Sequence, residues 1–314
     1  MRKLSDIGEF GLVDIISEEF EECGGSITRL GEDDCAVLKL NGDYLAITSD
    51  LLTRRTHLPD FMSFEDIGWR SVAVNLSDLA SVGCKPLWFN LSMALPDLKE
   101  REFKNLIRGV RTCLDKYDTC YIGGDLSEGS QIFLSGTAVG RNLYKNPLLR
   151  SGSKVGDFVC LTNEIGFSGV CLEYMKNNIT LEDEEKQKVF EEFSRPQPRL
   201  EQGIEISRDG GHSAIDLSDG LVFSLHQLAE AGDVGFEISM NKIPINRRVL
   251  EISERENLDL MSLLRSGEEY ELLFTTSNED LIDKIEAKVI GRVVEEPNVY
   301  LDGKKIKKAG FTHF

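Results

Sequence analysis

The sequence has neither a P-loop nor a G-x-G-x-x-G fingerprint, so a Walker-type or dinucleotide-binding fold is not expected. It has no C-x-x-C pair. The seven cysteines, Cys23, Cys35, Cys84, Cys113, Cys120, Cys160 and Cys171, are scattered and odd in number, which argues against a zinc site or disulfide framework and for a reducing cytoplasm. Positive charge is scarce: 36 Lys and Arg face 54 Asp and Glu, a net charge of −18. Such a surface repels nucleic acid and anionic membranes, so a phosphate-bearing ligand must be met by metal ions or a few placed basic residues. No apolar run approaches the ~18 residues of a membrane span. Residues 1–8 lack the apolar core of a signal peptide, so a soluble protein that stays where it is made is expected.

What is present is an ordinary globular composition. With 314 residues, 41% of them hydrophobic, and 28 glycines, the chain reads as an α/β or α+β protein of two domains. The polar segment 142–154, with Pro147 and Gly152, is the best boundary, giving domains 1–147 and 148–314.

The stretch from Gly31 to Asp50 organises the rest. Asp33 and Asp34 precede one probable strand, Asn41-Gly42 marks a turn, and Asp50 closes the next strand. Carboxylates gathered at one end of such a hairpin repel unless they take up protons or share a cation, and Mg²⁺ with its preference for oxygen ligands suits them. The following loop carries Arg54, Arg55 and His57, the first basic groups near those acids.

Ser63 with Asp66 is a capping box opening a helix that Gly83 stops. This helix is apolar or small nearly all round, which means burial, yet Ser71, Asn75 and Asp78 form a polar stripe on it. A buried Asp is costly unless paired or bound to metal, so Asp78 is a candidate for the same ions. An amphipathic helix is expected from Ser5 to Glu22, with Leu12, Ile15, Ile16 and Phe20 on one side. Strands are expected at 88–95, 119–125, 131–141 and 157–162, helices at 97–116 and 166–176, and a solvated Glu- and Lys-rich helix at 180–193. Gly123-Gly124-Asp125 resembles a turn where missing side chains let a ligand approach the backbone. The two prolines of Arg195-Pro-Gln-Pro-Arg199 stiffen a segment that can fix an arginine in place, and a rigid connector explains it equally well. Further on, a strand ends at Asp216 and a helix begins after Ser218-Asp219-Gly220, where Ser218 or Asp219 is expected to cap. Glu268, Glu269 and Glu271 precede an apolar strand and read as a second acidic cluster.

Taken in order, Asp33-Asp34, Ser49-Asp50-Leu-Leu, Asn75-Leu-Ser-Asp78, Gly123-Gly-Asp125, Gly136-Thr-Ala-Val-Gly-Arg141, Arg195-Pro-x-Pro-Arg199, Ile215-Asp-Leu-Ser-Asp-Gly-Leu221, Gly267-Glu-Glu-Tyr-Glu-Leu-Leu-Phe274 and Gly310-Phe-Thr-His-Phe314 resemble the thiamine-monophosphate kinase family. That resemblance implies the aminoimidazole ribonucleotide synthetase-like superfamily: a two-domain α/β (α+β) fold whose N-terminal sheet forms a barrel across a homodimer. It implies transfer of phosphate from ATP to thiamine monophosphate. It assigns Asp33, Asp34, Asp50, Asp78, Asp125 and Asp219 to magnesium and nucleotide positions, with Ser49 and Asp216 as further candidate ligands. Asp50, Asp125, Ser218 and Asp219 are the candidate catalytic set; Gly124, Asp125, Arg141 and Ser218 fall to ATP; His57, Glu268 and Phe311 fall to the thiamine moiety. Several Mg²⁺ ions are implied, and K⁺ is a further candidate. Two alternatives stay open: a synthetase of the same superfamily, for which Cys23 before Gly24-Gly25 poorly imitates the reactive cysteine loop of selenophosphate synthetase, and a non-catalytic Mg-nucleotide binding module.

Overall fold

In the computed structural model, which describes residues 2–20 and 24–311, the chain opens with helix α1 (Gly8–Glu19). Its apolar side chains pack only in part: Leu12 and Val13 are half-buried and the Phe10 ring lies 5.6 Å from that of Phe223. None of its residues is buried, and Phe10, Ile15 and Ile16 are exposed, as is Phe20 just beyond. The expected apolar face is therefore largely surface. The expected helix end at Glu22 lies outside the described residues, as does Cys23.

Asn41 and Gly42 both adopt positive φ, 51° and 86°, as a tight I′-type turn requires, and join β1 (Ala36–Leu40) to β2 (Asp43–Thr53) in register Leu40↔Asp43. β2 runs past Asp50, so that residue sits within the strand rather than at its end. Helix α2 (Phe64–Ser81) begins as expected: Ser63 accepts from the Asp66 N–H and the Asp66 carboxylate returns to the Ser63 backbone. β3 (Lys85–Leu95) starts earlier than expected, taking Pro86 near its first residue, where a missing donor is tolerated. α3 (Glu100–Lys116), β4 (Cys120–Gly123), β5 (Leu126–Glu128) and β6 (Phe133–Asn142) complete this half. The strand order is β1-β2-β6-β3-β4, with β5 also on β3. Pairing is antiparallel except where β4 and β5 join β3.

The second half contains β7 (Phe158–Leu161), α4 (Phe167–Met175), α5 (Asp183–Ser194), α6 (Leu200–Arg208), β8 (Gly211–Asp216), α7 (Leu221–Gly232), β9 (Gly235–Ile238), α8 (Arg247–Glu256) and α9 (Leu260–Leu264). It ends with β10 (Leu272–Thr276), α10 (Glu279–Lys284), β11 (Lys288–Val294), β12 (Val299–Leu301) and β13 (Lys304–Lys305). The strand order is β13-β12-β9-β11-β7-β10-β8, antiparallel apart from β12 on β9. Helix α5 is not simply solvated. Val189 and Phe193 are buried and the Phe190 ring stacks on Phe61 at 3.8 Å, because the apolar residues at 189, 190 and 193 share one helical face. Helix α2, buried nearly all round, packs against α3 and β6 on its own side and against α6 and β8 of the other half. No helix among the described residues is long and apolar enough to cross a membrane.

Candidate active site

Strand alternation and one helix face build the site. Along β2 the residues Ala46, Thr48, Asp50 and Leu52 point toward α2, while Ile47, Ser49 and Leu51 point the other way. Helix α2 meets them with its polar stripe. The Asp50 N–H donates to Asn75 Oδ1 (3.1 Å), and Thr48 Oγ1 donates to Asp78 Oδ2 (2.5 Å). Asp216, at the end of β8, comes in from the second half and accepts from Ser77 Oγ (2.6 Å). One carboxylate oxygen from each of Asp34, Asp78 and Asp216 lies within 4.8 Å of the others. Asp33 and Asp34 reach the group from the loop before β1, and Asp219 from the turn before α7.

The electrostatics are those of an acid cluster lacking compensation. Burial raises the Asp33, Asp50, Asp78 and Asp216 carboxyls, and neighbouring carboxylates raise each further. Burial also pushes Asp219 up to about 6, helped by Glu9 on α1. Arg150 enters the cluster as a cation: its N–H donates to Asp33 Oδ2 (2.9 Å) and its guanidinium pairs with Asp34. Burial alone would lower Arg150, yet Asp34 and Asp33 carry it above its ordinary value. One guanidinium cannot balance so many acids. Asp34 Oδ2 and Asp216 Oδ1 are buried with no hydrogen-bond partner among the described residues. Orphaned hard oxygens in a surplus of negative charge are what a divalent cation requires, and the donor set fits Mg²⁺.

Other expected residues fall elsewhere. The Ser49 hydroxyl donates to the Gly136 carbonyl (2.8 Å) and lies 3.1 Å from Thr137 Oγ1, on the sheet face opposite Asp50. Arg141 is exposed on that same outer face, five residues along β6 from the Gly136 that faces Asp50, or roughly 17 Å at strand spacing. Asp125 is exposed at the β4–β5 edge, across β6 and β3 from Asp50, roughly 14 Å by strand separation. The chain alone therefore does not bring Ser49, Asp125 or Arg141 to the carboxylates. A Cβ on Gly124 would lie 1.9 Å from the Leu91 carbonyl, so close approach of the neighbouring strand already demands that glycine. His57 Nδ1 accepts from the Thr53 N–H (3.2 Å) in the turn after β2, and Arg54 pairs with Asp60 (2.7 Å) instead of facing the acids.

Neither Ser218 nor Asp219 caps α7; Gly220 occupies the cap position and no side chain bonds there. The Phe311 N–H donates to the Asp219 carbonyl (3.3 Å), which brings the C-terminal segment onto that turn. The acids of the second stretch each find a protein partner, while burial and the neighbouring Glu271 push the Glu269 carboxyl up to about 8. Glu271 takes a bidentate pair from Arg199 (2.7 and 2.5 Å), as the proline-stiffened segment suggested. Glu269 accepts from the Gly166 N–H (2.8 Å) at the start of α4, and Glu268 pairs with Arg70. Beside Asp33 opens a cavity of about 1060 Å³, lined by Ile16, Phe20, Ile27, Leu30 and Leu38 among others. Sequence reasoning gave no role to Arg150, Thr48 or Ser77; the hydroxyls were legible as members of the Asp50 strand face and the Asp78 helix, and Arg150 as part of the segment Arg150-Ser-Gly-Ser-Lys-Val-Gly-Asp157.

The N-terminal domain of AIR synthase related protein matches residues 32–142, and its C-terminal domain matches 154–304. A curated thiamine-monophosphate kinase of Pyrococcus horikoshii is 35% identical over 301 residues, 95% of this chain and 92% of its own. The chain belongs to the thiamine-monophosphate kinase family. Its fold is the mixed α/β two-domain fold of that family, and it is an enzyme. The solved structure of AaThiL complexed with AMPPCP and TMP superposes with a TM-score of 0.90 at 30% identity, covering 100% of this chain and 99% of that one. Thiamine monophosphate kinase from Aquifex aeolicus gives 0.86 at 27%, covering 97% and 99%.

Proposed function

We propose that this chain transfers the terminal phosphoryl group of ATP directly to the phosphate of thiamine monophosphate, giving ADP and thiamine diphosphate. The observation that carries this is the convergence of Asp33, Asp34, Asp50, Asp78, Asp216 and Asp219, distant in sequence, around orphaned carboxylate oxygens. Joining two phosphates brings anions together; unit charges ~4 Å apart repel by ~4 kcal/mol at an effective dielectric near 20. These aspartates would hold Mg²⁺, which neutralises that repulsion and polarises the transferred group. An acceptor phosphate oxygen is already ionised and needs no general base, so no phosphoenzyme forms. The ATP and thiamine monophosphate assignments rest on family membership and on the AaThiL complex with AMPPCP and TMP.

Within this reading Asp50, Asp125, Ser218 and Asp219 act at the transfer, Gly124, Asp125, Arg141 and Ser218 serve ATP, and His57, Glu268 and Phe311 serve the thiamine moiety. The cavity beside Asp33 has room for an apolar ring next to the metal-bound phosphates. K⁺ is a further candidate ion. The outer face of the N-terminal sheet exposes Leu51, Trp88, Ile122 and Leu126, an apolar surface that a second copy would cover. A homodimer through this face would enclose Ser49 and Arg141, and domains divided at 147 and 148 would pair through the first. The described cysteines are free thiols, which suits the cytoplasm.

ADP release, measured by a coupled assay with and without thiamine monophosphate, tests the reaction. The reading predicts release that requires thiamine monophosphate and yields thiamine diphosphate; release without it, or nucleotide binding with no turnover, contradicts the reading. Leu51→Glu tests the dimer by light scattering: a monomer is expected, and an unchanged mass rejects that face.

A further inference from the structure

The turn that carries Asp219 is crossed by a second stretch of backbone. Gly220 takes a φ of 99°, and a Cβ there would lie 2.8 Å from the carbonyl carbon and oxygen of Arg265 and from the Ser266 carbonyl oxygen. A side chain at 220 would hold the two chains apart. Gly267 meets the same turn, since a Cβ on it would lie 2.1 Å from the Ser218 carbonyl. Residues 265–267 therefore run directly along residues 218–220, and Arg265 is the basic residue whose backbone touches this turn.

Its mount is firm. Arg265 follows α9 immediately, and its N–H donates to the Met261 carbonyl (3.2 Å). The Ser266 N–H donates to the Leu263 carbonyl (3.0 Å), the Ser266 hydroxyl donates to the Ser262 carbonyl (3.0 Å), and Leu263 and Leu264 are buried. The side chain is the opposite: Arg265 is exposed, and its guanidinium has no hydrogen bond or ion pair among the described residues. That sets it apart. Arg150, Arg195, Arg199, Arg208, Arg247 and Arg255 of the same half all pair with carboxylates, as 54 acidic against 36 basic side chains would lead one to expect. A fixed backbone that presents an uncommitted cation beside an acid-lined site is suited to an anionic ligand.

We propose that Arg265 binds the phosphate of thiamine monophosphate where that phosphate lies against the turn of residues 218–220. A guanidinium offers phosphate two parallel N–H donors and keeps its charge at any working pH. Arg150 is not free to do this, because Asp33 and Asp34 already engage its N–H and its guanidinium. The nucleotide phosphates would share the cations held near Asp34, Asp78 and Asp216. An acceptor phosphate brought beside them is a second anion and needs a positive group of its own. Phe311, whose N–H reaches the Asp219 carbonyl (3.3 Å), borders the same turn, so an aromatic residue and a guanidinium both stand where a ring joined to a phosphate would lie. This inference deepens the proposed function and rests on it for the identity of the ligand.

Calorimetry on the full chain with Mg²⁺ tests this, for wild type, Arg265→Gln, Arg265→Lys and, as a control for lost surface charge, Arg101→Gln on α3. The ligands are thiamine monophosphate, thiamine, which lacks the phosphate, and AMPPCP. Arg265→Gln is expected to weaken thiamine monophosphate binding by about tenfold or more, with thiamine and AMPPCP affinities changed by less than about twofold. Arg265→Lys keeps the charge without the fork and is expected to recover part of the loss. Arg101→Gln is expected to change all three by less than about twofold. Because Arg265 is exposed, its replacement removes no buried contact, and the variants are expected to fold as wild type does. Equal weakening of thiamine and thiamine monophosphate, which a purely structural role would give, overturns the inference. So does unchanged thiamine monophosphate affinity in Arg265→Gln, or a loss confined to AMPPCP. If the wild-type chain binds thiamine monophosphate without turnover, the proposed reaction fails while the affinities still decide this one; a wild-type chain that binds no thiamine monophosphate overturns both.

Discussion

Two groups of buried carboxylates in this molecule have opposite fates. Glu268, Glu269 and Glu271 each meet a matched partner: Arg70, the amide of Gly166 at the start of α4, and the fork of Arg199. Asp34, Asp78 and Asp216 crowd together with a surplus of negative charge and buried oxygens that nothing in the described chain satisfies. The first group has protein partners, although burial and the neighbouring Glu271 still push the Glu269 carboxyl up to about 8. The second must take up protons or accept a cation. Counting partners, rather than counting acids, therefore separates carboxylates that hold the fold from carboxylates that await a ligand.

Removing charge from each group should break the molecule in different ways. Asp50→Asn and Asp216→Asn are each expected to lower turnover by about 10³ or more while leaving the fold intact, as checked by steady-state kinetics and circular dichroism. Without metal, Asp216→Asn should melt higher than wild type, because it relieves repulsion among buried acids. Glu271→Gln should do the reverse, lowering stability by about 3 kcal/mol in urea titration, since Arg199 is left buried without its counter-charge. Equal responses to these two substitutions would erase the distinction.

The pH dependence sharpens it. Burial raises the folded Asp219 carboxyl to about 6 from an ordinary 3.8. Below the ordinary value both folded and unfolded chains hold the proton, and the stabilisation is whole; as pH rises through about 6 it is lost. Asp33, Asp50, Asp78 and Asp216 are shifted in the same direction. Mg²⁺ is therefore expected to raise Tm more at pH 8 than at pH 5, by several degrees, and to release protons on binding near neutral pH. A Tm increment independent of pH contradicts this. The smallest effect is expected for Ser49→Ala, within about threefold in kcat, because its hydroxyl faces away from the cluster.

Much of the acid cluster was legible because its members stand out locally. Asp33 and Asp34 precede a recognisable Asn-Gly hairpin, and Asp78 interrupts a helix otherwise fit only for burial. Asp216 ends a strand in front of a turn. Strand alternation, applied strictly, puts the Ser49 hydroxyl on the face opposite Asp50. The 268–271 acids were read as a cluster because their partners lie far away in the chain; Arg199 is 72 residues from Glu271. Arg150 reaches Asp34 across 116 residues, a pairing that no local pattern announces. Helix α1 shows the converse failure. Its amphipathic spacing was real, but only Leu12, Val13 and the Phe10–Phe223 contact use it, and Ile15, Ile16 and Phe20 stay exposed.

The most direct test of the cation site is Mn²⁺ binding to the full chain, read by electron paramagnetic resonance for wild type and Asp78→Asn without nucleotide. The carboxylate account predicts saturable binding by wild type that Asp78→Asn weakens by about tenfold or more. Equal binding by the two proteins, or none by wild type with or without ATP, contradicts it.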